Sequence, residues 1–176
     1  FPTRRSSDLL GDEPFQYYKK FPQIQVAVDA DRRNGITQLL NLPSKPEVIL
    51  LDDAYQHRRV KAGFYILLTS FDELYAQDYM LPTGNLREPR SGAKRADMII
   101  VTKCPPTISE IARANLKSVL QSDVPVFFSS IEYDDTVYSA TSTLALEELN
   151  KQSKVLVAGI AKPKPFFDFL QQDGDS

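Results

Sequence analysis

The run Glu47-Val48-Ile49-Leu50-Leu51-Asp52-Asp53-Ala54-Tyr55-Gln56-His57-Arg58 decides the fold. Four apolar residues lead straight onto two adjacent carboxylates and then a Gln-His-Arg cluster. An apolar run of this length, entered from Pro46 and Glu47, predicts a buried strand of a parallel sheet. In open α/β sheets, ligands bind beyond the carboxyl ends of the strands. Asp52 and Asp53 fall there. Either one of them holds Mg²⁺, as a Walker-B-type acid does, or they cap the turn or helix that follows. The only histidine of the chain, His57, follows closely and favours chemistry over capping.

Composition narrows the classes. Apolar residues make up 42% and charged residues 25%, enough for a core and too little charge for disorder. The net charge of -2 leaves no electrostatic footprint for nucleic acid. A single cysteine, Cys104, excludes an internal disulfide and a multi-Cys zinc site, and is expected to be a buried, inert thiol. No apolar stretch reaches the roughly 18 residues of a membrane span. The opening Phe1-Pro2-Thr3-Arg4-Arg5-Ser6-Ser7-Asp8 carries no signal-peptide pattern and no hydrophobic period. Residues 1–8 are therefore expected to be a non-native tail.

Strand-like and helix-like segments alternate along the rest. Strands are predicted over 24–28, 48–51, 64–68, 98–101, 126–129 and 155–160. Helices are predicted over 35–42, 109–121 and 165–171, the second starting at Ser109 with Ile108, Ile111, Ala112, Leu116 and Leu120 on one face. Residues 81–90 form a long irregular stretch, and 133–142 a loop with room for a small β excursion. This alternation implies an α/β fold, three-layered, with a mostly parallel sheet and helices on both faces, an architecture that P-loop NTPase-like proteins share.

Four constellations can carry chemistry. In Gly11-Asp12-Glu13-Pro14, two acids sit at a turn or helix start, where the default role is a cap. As chemistry, one acid accepts a proton from an attacking hydroxyl, which is worth about 10²–10⁴ in rate. In the second, Asp52-Asp53 with Gln56-His57-Arg58, His57 is a proton carrier, a polar lining group or a satisfied interior histidine. The third is Arg87-Glu88-Pro89: Arg87 either clamps a phosphate in two-pronged fashion or pairs at the surface with Glu88. Arg90, Lys94 and Arg95 read as solvated charge. The fourth is Thr102-Lys103-Cys104-Pro105, where Lys103 can lie against a nucleotide base.

Taken together, these segments resemble the tetraacyldisaccharide 4'-kinase family, the lipid A 4'-kinases of Gram-negative bacteria. Asp52-Asp53-Ala54-Tyr55-Gln56-His57-Arg58 is similar to that family's Asp-Asp-Gly-Phe-Gln-His-Arg signature. Leu81-Pro82-Thr83-Gly84-Asn85-Leu86-Arg87-Glu88-Pro89 is similar to its Leu-Pro-Ala-Gly-Pro-Leu-Arg-Glu-Pro loop. Gly11-Asp12-Glu13-Pro14, Arg95-Ala96-Asp97 and Ala158-Gly159-Ile160-Ala161-Lys162-Pro163 extend the likeness in the right order.

The resemblance implies transfer of the ATP γ-phosphate, with Mg²⁺, to the 4'-hydroxyl of a lipid-linked glucosamine disaccharide, the lipid A precursor. It implies a cytoplasmic protein, peripheral at the inner membrane, with no nucleic-acid partner. Its implied roles are Asp12 as base, with His57 and Arg87 also catalytic, and Gln56 and Lys103 on the nucleotide. Asp52, Asp53, Glu13 and Glu88 are implied at the metal. No Gly-x-x-x-x-Gly-Lys-Ser/Thr occurs in the chain. The family's phosphate loop lies upstream of the matching region and its Asp-His-His segment downstream. Residues 9–153 are thus expected to be the central part of a kinase core, and 154–176 the start of a C-terminal subdomain. Alone, the chain is expected to be inactive. The competing readings are another P-loop small-molecule kinase or ATPase, and a kinase-like domain that only binds.

Overall fold

The structure, a computed structural model, describes residues 11–139, 141–160 and 162–171, without the side chain of Asp12. The expected tail at residues 1–8 lies outside the described residues. Two compact units divide the chain, the first ending at Ser129 and the second beginning at Ser130.

The first unit is built on a parallel three-stranded sheet. Its strands are β1 (Ile66–Ser70), β2 (Met98–Thr102) and β3 (Val126–Phe128), side by side in that order. The register runs from Ile66 opposite Met98 to Ser70 opposite Thr102, and from Ile99 opposite Val126 to Val101 opposite Phe128. Asp97 sets the start of this register by accepting the Tyr65 N–H at 2.8 Å. Beyond β1, the buried hydroxyl of Thr69 accepts the Tyr75 N–H at 3.0 Å, which folds residues 71–75 back onto the sheet.

Parallel strands alternate their side chains between two faces. On one face Leu67, Ile99, Val101, Val126 and Phe128 pack with Leu74, Ala96 and Cys104. Helix α3 (Glu110–Leu120) closes this core with Leu116 and Leu120, helped by Ile108 just before it. The Ser109 side chain caps the helix by accepting the Ala112 N–H at 3.2 Å, as expected. Gln121 ends it in a left-handed conformation at φ 47°. Ile111 does not join the apolar face as expected and is exposed. At 3.6 residues per turn it stands about 140° round the helix from Leu116 and about 180° from Leu120.

Two further helices belong to this unit, α1 (Asp12–Lys20) and α2 (Arg32–Leu40). The second starts ahead of the predicted 35–42. Asp31 caps it by accepting the Arg33 N–H at 3.0 Å, so its polar first turn is helical without an apolar period to announce it. A 3-10 helix (Arg90–Arg95) leads into β2. The second unit holds a hairpin of β4 (Thr136–Tyr138) and β5 (Thr143–Ala145), the small β excursion expected there. Helices α4 (Leu146–Asn150) and α5 (Lys164–Leu170) complete it, with Tyr133 stacked on Phe169 at 4.2 Å.

Three predicted strands, 24–28, 48–51 and 155–160, form no ladder. A strand is stable only with a hydrogen-bonded neighbour, and among the described residues none pairs with these. Leu50 and Val155 are accordingly 88% and 91% exposed. The sheet has the same open character on its second face. Ile66, Leu68, Met98, Ile100 and Phe127 share that face by register, and Ile66, Leu68 and Phe127 are exposed.

This open face should bind an apolar dye such as anilinonaphthalene sulfonate. The double variant Leu68→Lys/Phe127→Ser should lose most of the fluorescence enhancement while its unfolding free energy stays within about 0.5 kcal/mol, as for other surface substitutions. Undiminished enhancement in that variant would place the apolar surface elsewhere.

Candidate functional site

The site grows from two turns that the sequence places far apart. The first is 52–58. Asp52 accepts the N–H of Asp53 at 2.9 Å, and Asp53 takes a left-handed conformation at φ 41°. Asp tolerates that region better than most side chains, and its use here reverses the chain sharply. Residues 54–58 then close by a hydrogen bond from the His57 N–H to the Ala54 carbonyl at 2.9 Å.

The second turn is 78–90. Asp78 organises it, accepting the Tyr79 N–H at 2.7 Å and the Asn85 N–H at 3.2 Å. The Tyr79 N–H, more than any other group, holds the Asp78 carboxyl below its ordinary value. The Leu86 N–H reaches the Tyr79 carbonyl and the Leu81 N–H the Leu86 carbonyl, both at 3.0 Å. Gly84 is required at the fold of this loop, because a Cβ there would collide with the Tyr79 backbone and the Asp78 carboxylate. Arg90 braces the outside, with its Nε donating to the Asp78 carbonyl at 2.9 Å and its guanidinium over the Tyr79 ring.

Glu88 joins the two turns. One carboxylate oxygen accepts from Arg58 Nη2 at 3.2 Å and the other from Arg95 Nη2 at 2.7 Å. Arg95 also donates to the Tyr55 carbonyl at 3.2 Å and lies 4.7 Å from the centre of the Tyr55 ring. The Tyr55 hydroxyl donates to the Gly92 carbonyl at 3.0 Å. Burial raises the pKa of that hydroxyl, so it stays protonated and remains a donor. Gly92 leaves room for the Glu88 carboxylate, since a Cβ there would stand 2.7 Å from the Glu88 carboxyl carbon.

Arg95 was expected to be solvated charge and is instead half-buried in this clamp. The low local exposure comes from Tyr55, a partner forty residues away that local sequence does not reveal. The expected surface alternative for Arg87, pairing with Glu88, is also not what forms: Glu88 is occupied by Arg58 and Arg95. Arg87 makes no ion pair among the described residues.

Between the turns lies a cavity of about 200 Å³, lined among others by Asp53, Tyr55, Gln56, Asn85, Arg87 and Glu88. Of the candidates from the sequence, the structure therefore gathers Asp53, Gln56, Arg87 and Glu88 around one space. Asp52 commits one oxygen to the turn and does not line it. His57 faces a different cavity. Lys103 follows β2 in a left-handed conformation at φ 59° and is exposed. Glu13 is exposed on α1, and the side chain of Asp12 lies outside the described residues. No group of three His, Cys, Asp or Glu side chains converges as a metal site among the described residues. Arg58, Arg95 and Tyr55 are the positioning residues that motif reading passed over. Cys104 is buried with its thiol pKa raised by that burial, the inert role expected of it.

This arrangement sets a cavity lined by two carboxylates and two guanidiniums against the parallel sheet of an α/β protein, the fold class of the P-loop kinases. The model of the tetraacyldisaccharide-1-P 4'-kinase family matches residues 2–175, and the chain belongs to that family. It is 61% identical over 174 residues to a tetraacyldisaccharide 4'-kinase of Flavobacterium psychrophilum, covering 97% of this chain and 51% of that protein. The corresponding protein of Flavobacterium johnsoniae is 59% identical over 172 residues, with 97% and 51% covered. That of Parabacteroides distasonis is 47% identical over 170 residues, with 92% and 46% covered. The chain thus spans about half the length of the curated relatives it matches. No solved structure matches the chain.

Glu88→Gln should expose the weight of the clamp. Arg95 beside it, more than any other group, holds the Glu88 carboxyl below its ordinary 4.5. A carboxyl lowered on folding adds stability that is present above its unfolded value and is lost as pH falls through its folded value. The variant should lose about 1.5–3 kcal/mol at neutral pH, the range for hydrogen bonds to charged groups. It should also show a shallower fall in stability between about pH 5 and pH 3 than the parent. Urea titrations at several pH values measure both. A parental acid slope in Glu88→Gln would mean that the clamp carries no pH dependence.

Proposed function

We propose that this chain forms the acceptor-side and phosphate-side part of a kinase that phosphorylates the 4'-hydroxyl of a tetraacyl glucosamine disaccharide, a lipid A precursor, with ATP as donor. One observation carries this reading: Asp53, Gln56 and Arg87 share a cavity whose two walls are bolted together through Glu88. At about 200 Å³ the cavity is smaller than the roughly 300–1,000 Å³ of sites for whole small molecules. It suits a phosphoryl group and the end of a sugar ring.

Phosphoryl transfer depends on positioning and charge stabilisation more than on covalent catalysis. Arg87, without a carboxylate partner among the described residues, is the residue free to grip a phosphate through two parallel N–H donors. The acceptor oxygen attacks the γ-phosphorus, the bond to the bridging oxygen of ADP breaks, and the hydroxyl proton goes to the carboxylate of Asp12. Gln56 orients the acceptor or the phosphate from the cavity wall, and Lys103 contributes at the nucleotide.

The donor set fits Mg²⁺ at Asp52 and Asp53, since this ion takes one or two carboxylates and completes its shell with water and substrate phosphates. Bound there, it supplies charge neutralisation on the phosphates. Asp53 is the better candidate because it lines the cavity. Glu88 does not fit as a ligand, because guanidiniums hold both its oxygens, and Glu13 belongs to no group of three His, Cys, Asp or Glu side chains among the described residues. A lipid-linked acceptor places the work at the cytoplasmic side of the inner membrane. In this reading the protein meets the membrane surface peripherally, and no described helix is long and apolar enough to cross a membrane.

A chimera tests this reading. The matching 174 residues of the Flavobacterium psychrophilum relative are replaced by this chain. The chimera should transfer phosphate from ATP to the acylated disaccharide, and Arg87→Ala within it should cost about 10²-fold in kcat, as for loss of one transition-state donor. The 176-residue chain alone, which lacks a Gly-x-x-x-x-Gly-Lys-Ser/Thr loop, should show no turnover. A folded but inactive chimera beside an active parent would remove the kinase reading and leave a domain that only binds.

A further inference from the structure

A second cavity of about 350 Å³ lies beside the first turn and has no role in the transfer described above. The first turn of α2 and the 57–60 segment line it, with Arg32, Arg33, His57 and Arg59 supplying its charge. Three guanidiniums and an imidazole converge in a chain whose net charge is -2. None of these four side chains makes an ion pair or a side-chain hydrogen bond among the described residues. The contrast with Arg58 is direct: it sits between His57 and Arg59 and is consumed by Glu88.

One acid lines the cavity, Asp31, and its carboxylate caps α2 by accepting the Arg33 N–H at 3.0 Å. Asp29, nearby in sequence, is committed to the Asp31 N–H at 2.8 Å and to Asn34 at 2.6 Å. The balance of the cavity is therefore cationic and unneutralised. Unpaired guanidiniums around a space of this size match a doubly charged phosphate monoester, which two arginines can hold with parallel N–H donors. The positive end of α2 adds to the same field.

We propose that Arg32, Arg33, His57 and Arg59 form a binding site for the phosphate monoester that the sugar acceptor already carries before transfer. This rests on the kinase reading, since the description of the family names a tetraacyldisaccharide-1-P. The acceptor would then be held at both ends, by its own phosphate here and by its reacting hydroxyl at the cavity of Asp53 and Arg87. The specificity consequence is that the disaccharide without its phosphate is a poor acceptor.

His57 is the only histidine, so its ring Cε1–H gives one isolated proton NMR signal and a reporter inside the site. The 176-residue chain is titrated separately with glucosamine 1-phosphate and with ATP, in the absence of metal. Glucosamine 1-phosphate should shift the signal in a saturable manner, and more tightly than ATP. Arg33→Gln/Arg59→Gln should weaken that binding by about tenfold or more. Both arginines are exposed, and an unchanged circular dichroism spectrum would confirm that the variant is folded. Arg33→Lys/Arg59→Lys should retain part of the affinity, which a purely structural role would not require.

ATP binding more tightly than the sugar phosphate would overturn the proposal by assigning the site to the nucleotide. No saturable shift, or a shift that survives in the Gln variant, would also overturn it. Because the titration needs no turnover, its outcome is independent of whether the chimera is active.

Discussion

A single carboxylate shared by two guanidiniums sets the geometry on which the rest of the first unit depends. Glu88 lies thirty residues from Arg58 and seven from Arg95, so it ties the 52–58 turn both to the 81–89 loop and to the entrance of β2. Its side chain is only 18% exposed. At that depth a missing partner leaves a poorly hydrated charge, which costs more than the same pair contributes at a fully wet surface. Tyr55 secures the arrangement from beneath, with its ring against Arg95 and its hydroxyl on Gly92. Glu88 is therefore better understood as the strut of the cavity than as one of its reactive groups.

That strut frees the neighbouring groups for ligands. Within five residues the chain alternates its obligations: Gln56 lines one cavity, His57 and Arg59 line another, and Arg58 between them is bound to Glu88. Arg87 and Glu88 divide labour in the same way. The carboxylate takes the structural pairing, and the guanidinium beside it is left without one among the described residues. One short turn thus separates a cavity of mixed charge from a cationic one.

Local chemistry was legible in the sequence where the cause was local. Ser109 announced the start of α3 because its side chain satisfies the N–H of Ala112 three residues on. The apolar run 98–101 announced β2, and an isolated Cys next to it announced a buried thiol. What the sequence hid was decided by partners distant along the chain. Nothing in Arg95 itself distinguishes it from Lys94, yet contact with Tyr55 and Glu88 makes one a half-buried clamp and leaves the other exposed. Asp52 and Asp53 read as equivalent acids, and a single positive φ separates them by turning only Asp53 towards the cavity. The start of α2 was hidden differently: its first turn is polar, so capping by Asp31 had to substitute for periodicity.

The sheet carries a further constraint. Parallel sheets are stable with both faces covered, whereas here the face bearing Ile66, Leu68, Met98, Ile100 and Phe127 is covered only in part. Full burial of an aliphatic or aromatic side chain is worth about 1.5–3 kcal/mol. Ile66, Leu68 and Phe127 are each about half exposed, so the burial they forgo is on the order of a few kcal/mol, a sizeable share of the roughly 5–15 kcal/mol that separates a folded domain from its unfolded chain. The apolar run 48–51 is in the same condition, half alternating and unpaired, and it feeds directly into Asp52 and Asp53. Whatever covers this face and pairs that run would do more than add stability. It would fix the backbone that aims Asp53, so the order of the candidate metal site and the burial of the sheet are one energetic problem.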